Sequence, residues 1–404
     1  MTGLYPHQSG IIDNCDVGAS TQEYLPKSSI TWLDRRQESG RKTGYFGKWH
    51  LGLDWQSKET GVEFDICRIE SDRLKHETRI PEATVTERGQ LKNMQDPRSA
   101  KKSDDDYVPK LDSIEKRFEY KVTKKTMEFL EKNRDKPWCV TASLVGPHFP
   151  NSNPEPFYIM YDQVDIPMPK SMYDTFQNKP WYQSRKWWPS IDTEYFDEHE
   201  WEKTIRAYYG SISLMDYFIG QILEKAKECS GGRKTIVIFT SDHGKMLGNH
   251  GKFDKHAYCY EDVIRTPLLV CPDLKGEQEK NVCANNCNTL DIAQTFFELA
   301  GCKCKNGRSL FKISEDKKEK KEDIYCNYYK YNGHSFEIRA IKEGNIKYSF
   351  IPQDIDELYD LSTDPNEMIN LSDDYLCDIL DFLPEAGTIG KPEYPALKKN
   401  YDNN

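Results

Sequence analysis

Thr235-Ile236-Val237-Ile238-Phe239-Thr240 runs directly into Ser241-Asp242-His243-Gly244. A continuous β-branched and aromatic run with no polar alternation is the pattern of a strand buried on both faces, as in a parallel sheet. Upstream lies a helix-period stretch, Trp201–Cys229, with Ile205, Tyr208, Tyr209, Ile212, Met215, Ile219 and Leu223 on one face, closed by Gly231-Gly232. Downstream, Pro267–Val270 reads as a strand and Leu290–Leu299 as a helix. Further upstream come a strand at Thr43–Gly47, an amphipathic helix over Ile114–Asn133 and a strand over Trp138–Val145. Alternation of this kind predicts an α/β domain, a doubly wound and mostly parallel sheet over residues 1–311. Residues 312–404 read differently: a lysine-rich solvated linker at Lys312–Asp323, two short strands within Glu337–Phe350 and a helix at Asp374–Phe382. They are expected to form a small C-terminal α+β domain.

The chain has 404 residues, a net charge of −10 and 30% charged residues of both signs. That balance excludes a general nucleic-acid binder, which shows a basic face. It leaves room for an anionic substrate, since a few placed lysines hold one against an acidic background. Twenty-four Tyr, 17 Phe and 8 Trp suit a folded protein with an aromatic-lined cleft. The 12 cysteines show no pair of CxxC knuckles. Cys283, Cys287, Cys302 and Cys304 cluster in sequence, and free thiols around a helix are favoured there over a soft-metal or disulfide group. No apolar run approaches the roughly 18 residues of a membrane span. Asn370-Leu371-Ser372 is a glycosylation triplet too short to assign a compartment. Ser71–Tyr107 is polar and weakly periodic and reads as a surface insertion. Pro147–Pro189 reads as a long ordered loop beside a binding cleft.

Ligands of open parallel sheets bind at the carboxyl ends of the strands. Lys48, Trp49 and His50 follow the first strand, Gly146-Pro147-His148 the second, and Ser241-Asp242-His243-Gly244 the third. Each has an ordinary reading alone: Asp-His-Gly as a turn with a capping Asp, His148 as a packed loop residue. Together they bring an ammonium, a carboxylate and imidazoles to strand ends, a set suited to a hard metal ion and a tetrahedral oxyanion.

Thr43–Gly52, TGYFGKWHLG, closely resembles the second signature of the sulfatases, in the alkaline-phosphatase-like superfamily. Thr240–His250, TSDHGKMLGNH, resembles that family's metal-binding strand end. Phe253-Asp254-Lys255, Tyr260-Glu261 and Arg265-Thr266-Pro267 resemble its FDK…YE…R-x-P stretch. Leu290–Gly301, Gly307-Arg308-Ser309-Leu310 and Glu357–Leu371 follow in the family's order, so the likeness covers nearly the whole chain. The resemblance implies Asp242 and His243 as ligands of a divalent metal ion, Ca²⁺ ahead of Mg²⁺. It implies Lys48 and Lys255 on the sulfate oxygens, with Lys252 and His256 close enough to compete for the latter role. It implies His50 against the nucleophile, and His148 at the leaving-group oxygen as proton donor or sulfate ligand. Sulfate ester cleavage builds negative charge on the bridging oxygen, so a cation and a proton donor there lower the barrier.

Two family features are not found. One is an Asp-Asp pair after the first strand; the other is Cys-x-Pro-Ser-Arg, whose Cys becomes the formylglycine nucleophile. Met1–Gly10, MTGLYPHQSG, resembles the run that follows that signature, so the chain is expected to be an N-terminally truncated member. The lost first strand is expected to be central, leaving two neighbours unpaired. Cys229-Ser230-Gly231-Gly232-Arg233 is no replacement, because it reads as a helix terminus; Cys15 lacks the Pro and Arg. Asp104-Asp105-Asp106 and Asp373-Asp374 lie in polar, surface-like context. The resemblance thus implies a sulfuric ester hydrolase acting on a small sulfated substrate, a sugar or aryl sulfate, by attack of a formylglycine hydrate. A formylglycine-generating enzyme is the partner of an intact parent, and this chain alone is expected to be inactive. The rivals are a phosphate or phosphonate ester hydrolase on the same metal frame, and a non-catalytic binder of a sulfated ligand.

Overall fold

The computed structural model describes residues 1–12, 25–26, 28–49, 51, 63–68, 110–149, 151–184, 196–255, 257–276, 281–315, 324–331, 334–352 and 354–372. The surface insertion expected at Ser71–Tyr107, the helix expected at Asp374–Phe382, and Cys15, Asp104-Asp105-Asp106, Asp373-Asp374, His50 and His256 lie outside the described residues.

Strand β1 (Lys42–Trp49) is the middle of a parallel sheet, flanked by β2 (Glu63–Arg68) and β3 (Trp138–Ser143). It runs two residues further than the apolar pattern suggested, so Lys48 and Trp49 belong to the strand and not to the loop after it. Its side chains alternate between two layers, as a pleated strand requires. Tyr45 and Trp49 pack with Trp32, Leu33, Ala293 and Phe297 on one side, from the helices Trp32–Glu38 and Thr289–Leu299. Phe46 packs on the other side with Phe118, Val122 and Phe129. Those three lie on the helix Phe118–Lys132, whose spacing of apolar residues sets one buried face. The expected helix over Ile114–Asn133 is interrupted: Ile114–Lys116 is a 3₁₀ turn, and the α-helix begins after Arg117. Each phenylalanine buried here contributes about 2–3 kcal/mol. Helices on both faces of a parallel sheet give the doubly wound arrangement that the alternating pattern predicts.

The strand of the opening stretch is shorter than expected. Residues Val237–Thr240 form β4, which pairs antiparallel with β5 (Leu268–Cys271). Among the described residues this pair is a separate two-stranded sheet, and β3 and β4 are each paired on one side only. One-sided pairing of β3 and β4 matches the two unpaired neighbours expected beside a lost central strand, while the antiparallel partner of β4 was not expected. The β-branched run dictates an extended backbone but not its partner. The helix Glu198–Cys229 starts three residues before the expected Trp201, at a reciprocal cap between Asp197 and Glu200. It ends at Cys229, with Gly231 and Gly232 at positive φ, so the Cys-Ser-Gly-Gly-Arg run is a helix terminus as expected. Residues 151–184 carry little regular structure beyond the short helix Trp181–Ser184, in keeping with a long ordered loop.

The C-terminal region holds more strand than expected. Four strands, β6 (Ile324–Tyr331), β7 (His334–Glu343), β8 (Ile346–Phe350) and β9 (Glu357–Asp360), make an antiparallel meander. Residues 312–315 of the expected linker are the end of a helix, Leu310–Glu315. The sheet is packed onto the rest of the chain: Ile338, Ala340, Ile351 and Tyr359 share a core with Tyr182, Met246, Tyr258 and Val263. Cys283, Cys287, Cys302 and Cys304 are free thiols.

Candidate active site

Lys48 and Asp242 come from segments 194 residues apart, and Lys48 Nζ donates to Asp242 Oδ2 at 2.5 Å. Lys48 is aimed by its own strand. Gly47 sits at φ +107, and a Cβ there would lie 2.0 Å from the Ser143 carbonyl oxygen, so only glycine lets β1 and β3 approach this closely. The Tyr45 hydroxyl donates to the Lys48 carbonyl at 2.6 Å. Burial pushes Tyr45 up to about 12, which keeps it a phenol donor.

Asp242 and His243 leave β4 in a tight turn that closes when Gly244 N donates to the Val263 carbonyl at 2.7 Å. A Cβ at Gly244 would meet the Asp262 carbonyl oxygen at 2.0 Å, so a side chain there would open the turn. The second Asp242 oxygen accepts the His243 backbone N–H at 3.1 Å. Desolvation by the surrounding loops would raise the Asp242 carboxyl even though its side chain is 58% exposed, but the Lys48 ammonium outweighs it and the group is held at about 2. Nδ1 of His243 lies 2.8 Å from the Gly244 carbonyl, which can only accept; this nitrogen therefore carries the proton. The His243 Nε2 lone pair then faces Asp242 Oδ2, 3.6 Å away. Burial pulls the His243 imidazole below its ordinary value despite the Asp242 charge, which favours the neutral ring a metal would need.

His148 is placed by a buried ion pair that the sequence did not reveal. Arg117 and Glu119, 2% and 0% exposed, meet at 3.0 Å. Glu119 Oε1 accepts the Gly146 N–H at 2.7 Å, and Arg117 donates to the Ser152 carbonyl at 3.0 Å, so the pair holds both ends of the loop. A glutamate one position into an amphipathic helix looks solvent-facing, and nothing in its sequence context signals the contact. Nδ1 of His148 lies 3.0 Å from the Phe149 carbonyl, and its Nε2 lies 3.2 Å from Lys255 Nζ. A carbonyl and an ammonium on opposite sides fix a neutral ring with the proton on Nδ1. The His148 and His243 rings are 6.3 Å apart between centroids. Lys252 Nζ instead lies 4.6 Å over the Phe176 ring, so of the two competing lysines it is Lys255 that reaches His148. Lys245 adds an unpredicted hub, with its ammonium 3.8 Å over the Phe253 ring and 4.9 Å over the Phe149 ring. It thereby ties the loop of His148 to the loop of Lys255.

The structure thus brings Lys48, His148, Asp242, His243 and Lys255 together; His50 lies outside the described residues. A hard cation wants several oxygen ligands. Asp242 Oδ2 and His243 Nε2 are the two donors that could share one, 3.6 Å apart, with Lys48 Nζ also on that oxygen. Among the described residues no group of three or more His, Cys, Asp or Glu converges. Such an arrangement can neutralise an oxyanion, move a proton through His148 and share a cation.

The sulfatase family profile matches residues 1–302, and the profile described as N-sulphoglucosamine sulphohydrolase, C-terminal, matches residues 248–381. A sulfatase of Formosa agariphila is 27% identical over 257 residues, covering 62% of this chain and 49% of its own length. The chain thus spans about half the length of that relative. A protein solved in complex with its substrate D-glucosamine-2-N,6-O-disulfate superposes with a TM-score of 0.69 at 19% identity, covering 100% of this chain and 87% of that one. The phosphonate monoester hydrolase of Agrobacterium radiobacter superposes with a TM-score of 0.70 at 18% identity, over 94% and 82% of the two chains. These likenesses show an alkaline-phosphatase-like fold. With three quarters of its length matched by the family profile, the chain belongs to the sulfatase family.

Proposed function

We propose that the cluster at the strand ends is the sulfate-ester site of a formylglycine-dependent, metal-assisted sulfuric ester hydrolase. Its substrate on this reading is a small sulfated molecule, a sulfated sugar ahead of an aryl sulfate. What carries the reading is convergence: distant segments deliver two ammonium groups, a carboxylate and two imidazoles to one place. Residues 1–311 make the hydrolase body and residues 312–404 the C-terminal unit. The solved protein bound to a sulfated glucosamine and the sulphohydrolase profile over residues 248–381 support the sugar.

Asp242 and His243 would hold a divalent metal ion, Ca²⁺ in preference to Mg²⁺, since Ca²⁺ accepts an irregular shell. A bound ion supplies positive charge against the sulfate oxygens. Lys48 Nζ has three N–H groups, so it can hold Asp242 and still donate to a sulfate oxygen. Lys255 donates to His148 and lies where a second sulfate oxygen would be met. His148, neutral at rest, must gain a proton on Nε2 to hand to the leaving oxygen, and the Lys255 N–H is the adjacent donor. His50 is assigned to the nucleophile. The lysines and histidines orient, neutralise and transfer protons but form no stable sulfate ester. No Cys-x-Pro-Ser-Arg occurs in the 404 residues, so turnover by this chain alone is not expected.

The test is a fusion carrying Asp-Asp and Cys-x-Pro-Ser-Arg ahead of this chain, made alongside a formylglycine-generating enzyme, its partner on this reading. Sulfate ester hydrolysis by the fusion, lost with Asp242→Ala, is the expected result. Hydrolysis by the 404 residues alone, lost with the same substitution, would falsify the need for that segment. The phosphonate monoester hydrolase neighbour favours a second reading. A fusion that cleaves phosphonate esters and leaves sulfate esters untouched establishes it.

A further inference from the structure

Cys259 and Cys326 meet where the segment carrying Lys255 touches the C-terminal sheet. Cys259 is 5% exposed and lies four residues after Lys255; Cys326 is on β6 and half-buried. Their sulfurs are 3.9 Å apart across 67 residues of sequence, and both are free thiols. Other described cysteines lean on oxygens: Cys229 on Glu131, Cys302 on the Phe297 carbonyl, Cys304 on Gln294 and the Asn306 carbonyl. Cys259 leans on a second sulfur.

The surroundings divide the pair into two roles. Lys347 Nζ donates to the Cys259 carbonyl at 2.6 Å and brings a positive charge to both sulfurs. The hydrogen bond from Cys259 draws the Cys326 thiol below its ordinary value, helped by Lys347 against the cost of burial. The same bond and its own burial push Cys259 up. Of the two, Cys326 is therefore the readier thiolate, and Cys259 keeps its proton.

We propose that Cys259 and Cys326 are an oxidisable dithiol site for a small-molecule disulfide, and that its closure cross-links the Lys255 segment to the C-terminal sheet. The Cys326 thiolate attacks one sulfur of glutathione disulfide, a sulfur–sulfur bond forms as the original one breaks, and a glutathione thiolate leaves. Cys259 then releases its proton to solvent and attacks the Cys326 sulfur, expelling the second glutathione thiolate. Two protein thiols are oxidised to one disulfide, and one glutathione disulfide is reduced to two thiols. A bonded pair needs its sulfurs at about 2.0 Å, so closure draws the two side chains together from 3.9 Å. The site stands independently of the hydrolytic reading.

The experiment uses the 404-residue chain. It is incubated with glutathione disulfide, its remaining thiols are alkylated, and it is digested with trypsin without reduction. Mass spectrometry is expected to find residues 256–265 joined to residues 322–330, two hydrogens lighter than the separate peptides. The oxidised chain should also melt about 5 °C higher than the reduced one, a difference absent from Cys326→Ser. Recovery of both peptides fully alkylated, or cross-links confined to Cys283, Cys287, Cys302 and Cys304, overturns the proposal. The peptide result on the unaltered chain decides alone, so a serine variant that failed to fold leaves the test standing.

Discussion

Two clusters of charged side chains in this molecule use the same residue types and end in opposite states. At the strand ends, the Asp242 side chain is 58% exposed and Lys48 12%. At the seam under the C-terminal sheet, Asp174, Lys179 and His250 are sealed from solvent. Lys179 donates to Asp174 at 2.5 Å, to the Tyr260 hydroxyl at 3.3 Å and to the Glu367 carbonyl at 2.6 Å. His250 Nδ1 holds Asp174 at 2.6 Å while its ring stacks on Tyr260, 3.9 Å away. Lys347 pairs with Glu367, both 1% exposed. The seam turns its groups inward, most of them onto protein partners though His250 Nε2 is left without a hydrogen bond among the described residues, whereas the strand-end cluster keeps part of its capacity turned outward. Partner count and burial, more than residue type, separate a cluster that holds the fold from one that can bind and react.

The sharpest way to break this contrast is Lys347→Met, which removes the ammonium facing Glu367, a carboxyl that burial already raises to about 7. It should cost about 3–5 kcal/mol of stability, read by urea unfolding. A loss below about 1 kcal/mol would place the seam among solvated surface pairs. Next in size is Lys48→Ala in the fusion that carries a nucleophile, where turnover should fall ~100-fold with the melting temperature nearly unchanged. An equal fall in both readouts would make Lys48 a structural residue. The seam should then show in acid. Burial would raise Asp174, but hydrogen bonds from His250, Lys179 and the Phe176 N–H bring it from 3.8 to about 2. Its stabilisation is present above the unfolded value and lost as pH falls from 3.8 toward 2, about 2 kcal/mol in all. Asp174→Asn should flatten that limb of the stability curve. The smallest effect belongs to Lys48→Met in the 404-residue chain, less than about 1 kcal/mol in urea, because its partner is solvated.

How much of this was legible in the sequence follows from which forces act locally. The Val237–Thr240 strand and the long helix could be read as elements because apolar patterning is local, but their buried faces could not: Ile212 and Phe239 are exposed, while Thr204, Ala207, Ser211, Leu214 and Phe218 are the buried positions of the helix. The antiparallel partner of β4 could not, since pairing depends on segments far along the chain. The four-stranded meander was half read: Ile338–Ile341 is a short apolar run, whereas Ile324–Tyr331 carries Asn and Lys among its tyrosines and resembles a polar loop. At the site, Lys48, Asp242 and His243 were visible through strand-end position and family resemblance. The His148–Lys255 contact spans 107 residues, and its supports, Glu119 and Lys245, sit in contexts that also suit solvent. Such contacts arise only when loops are brought together by a fold.

The Arg117–Glu119 pair behind the His148 loop also bears on how sequences of this kind can change. Either residue lost alone leaves its partner as an uncompensated buried charge, at about 3–5 kcal/mol, whereas a well-packed apolar pair of similar volume is tolerated. The route from the ionic to the apolar version therefore passes through a deep fitness valley. Divergent lineages should keep or exchange these two positions together, as one inherited unit, while the exposed helix positions Lys124, Lys125 and Glu128 drift freely.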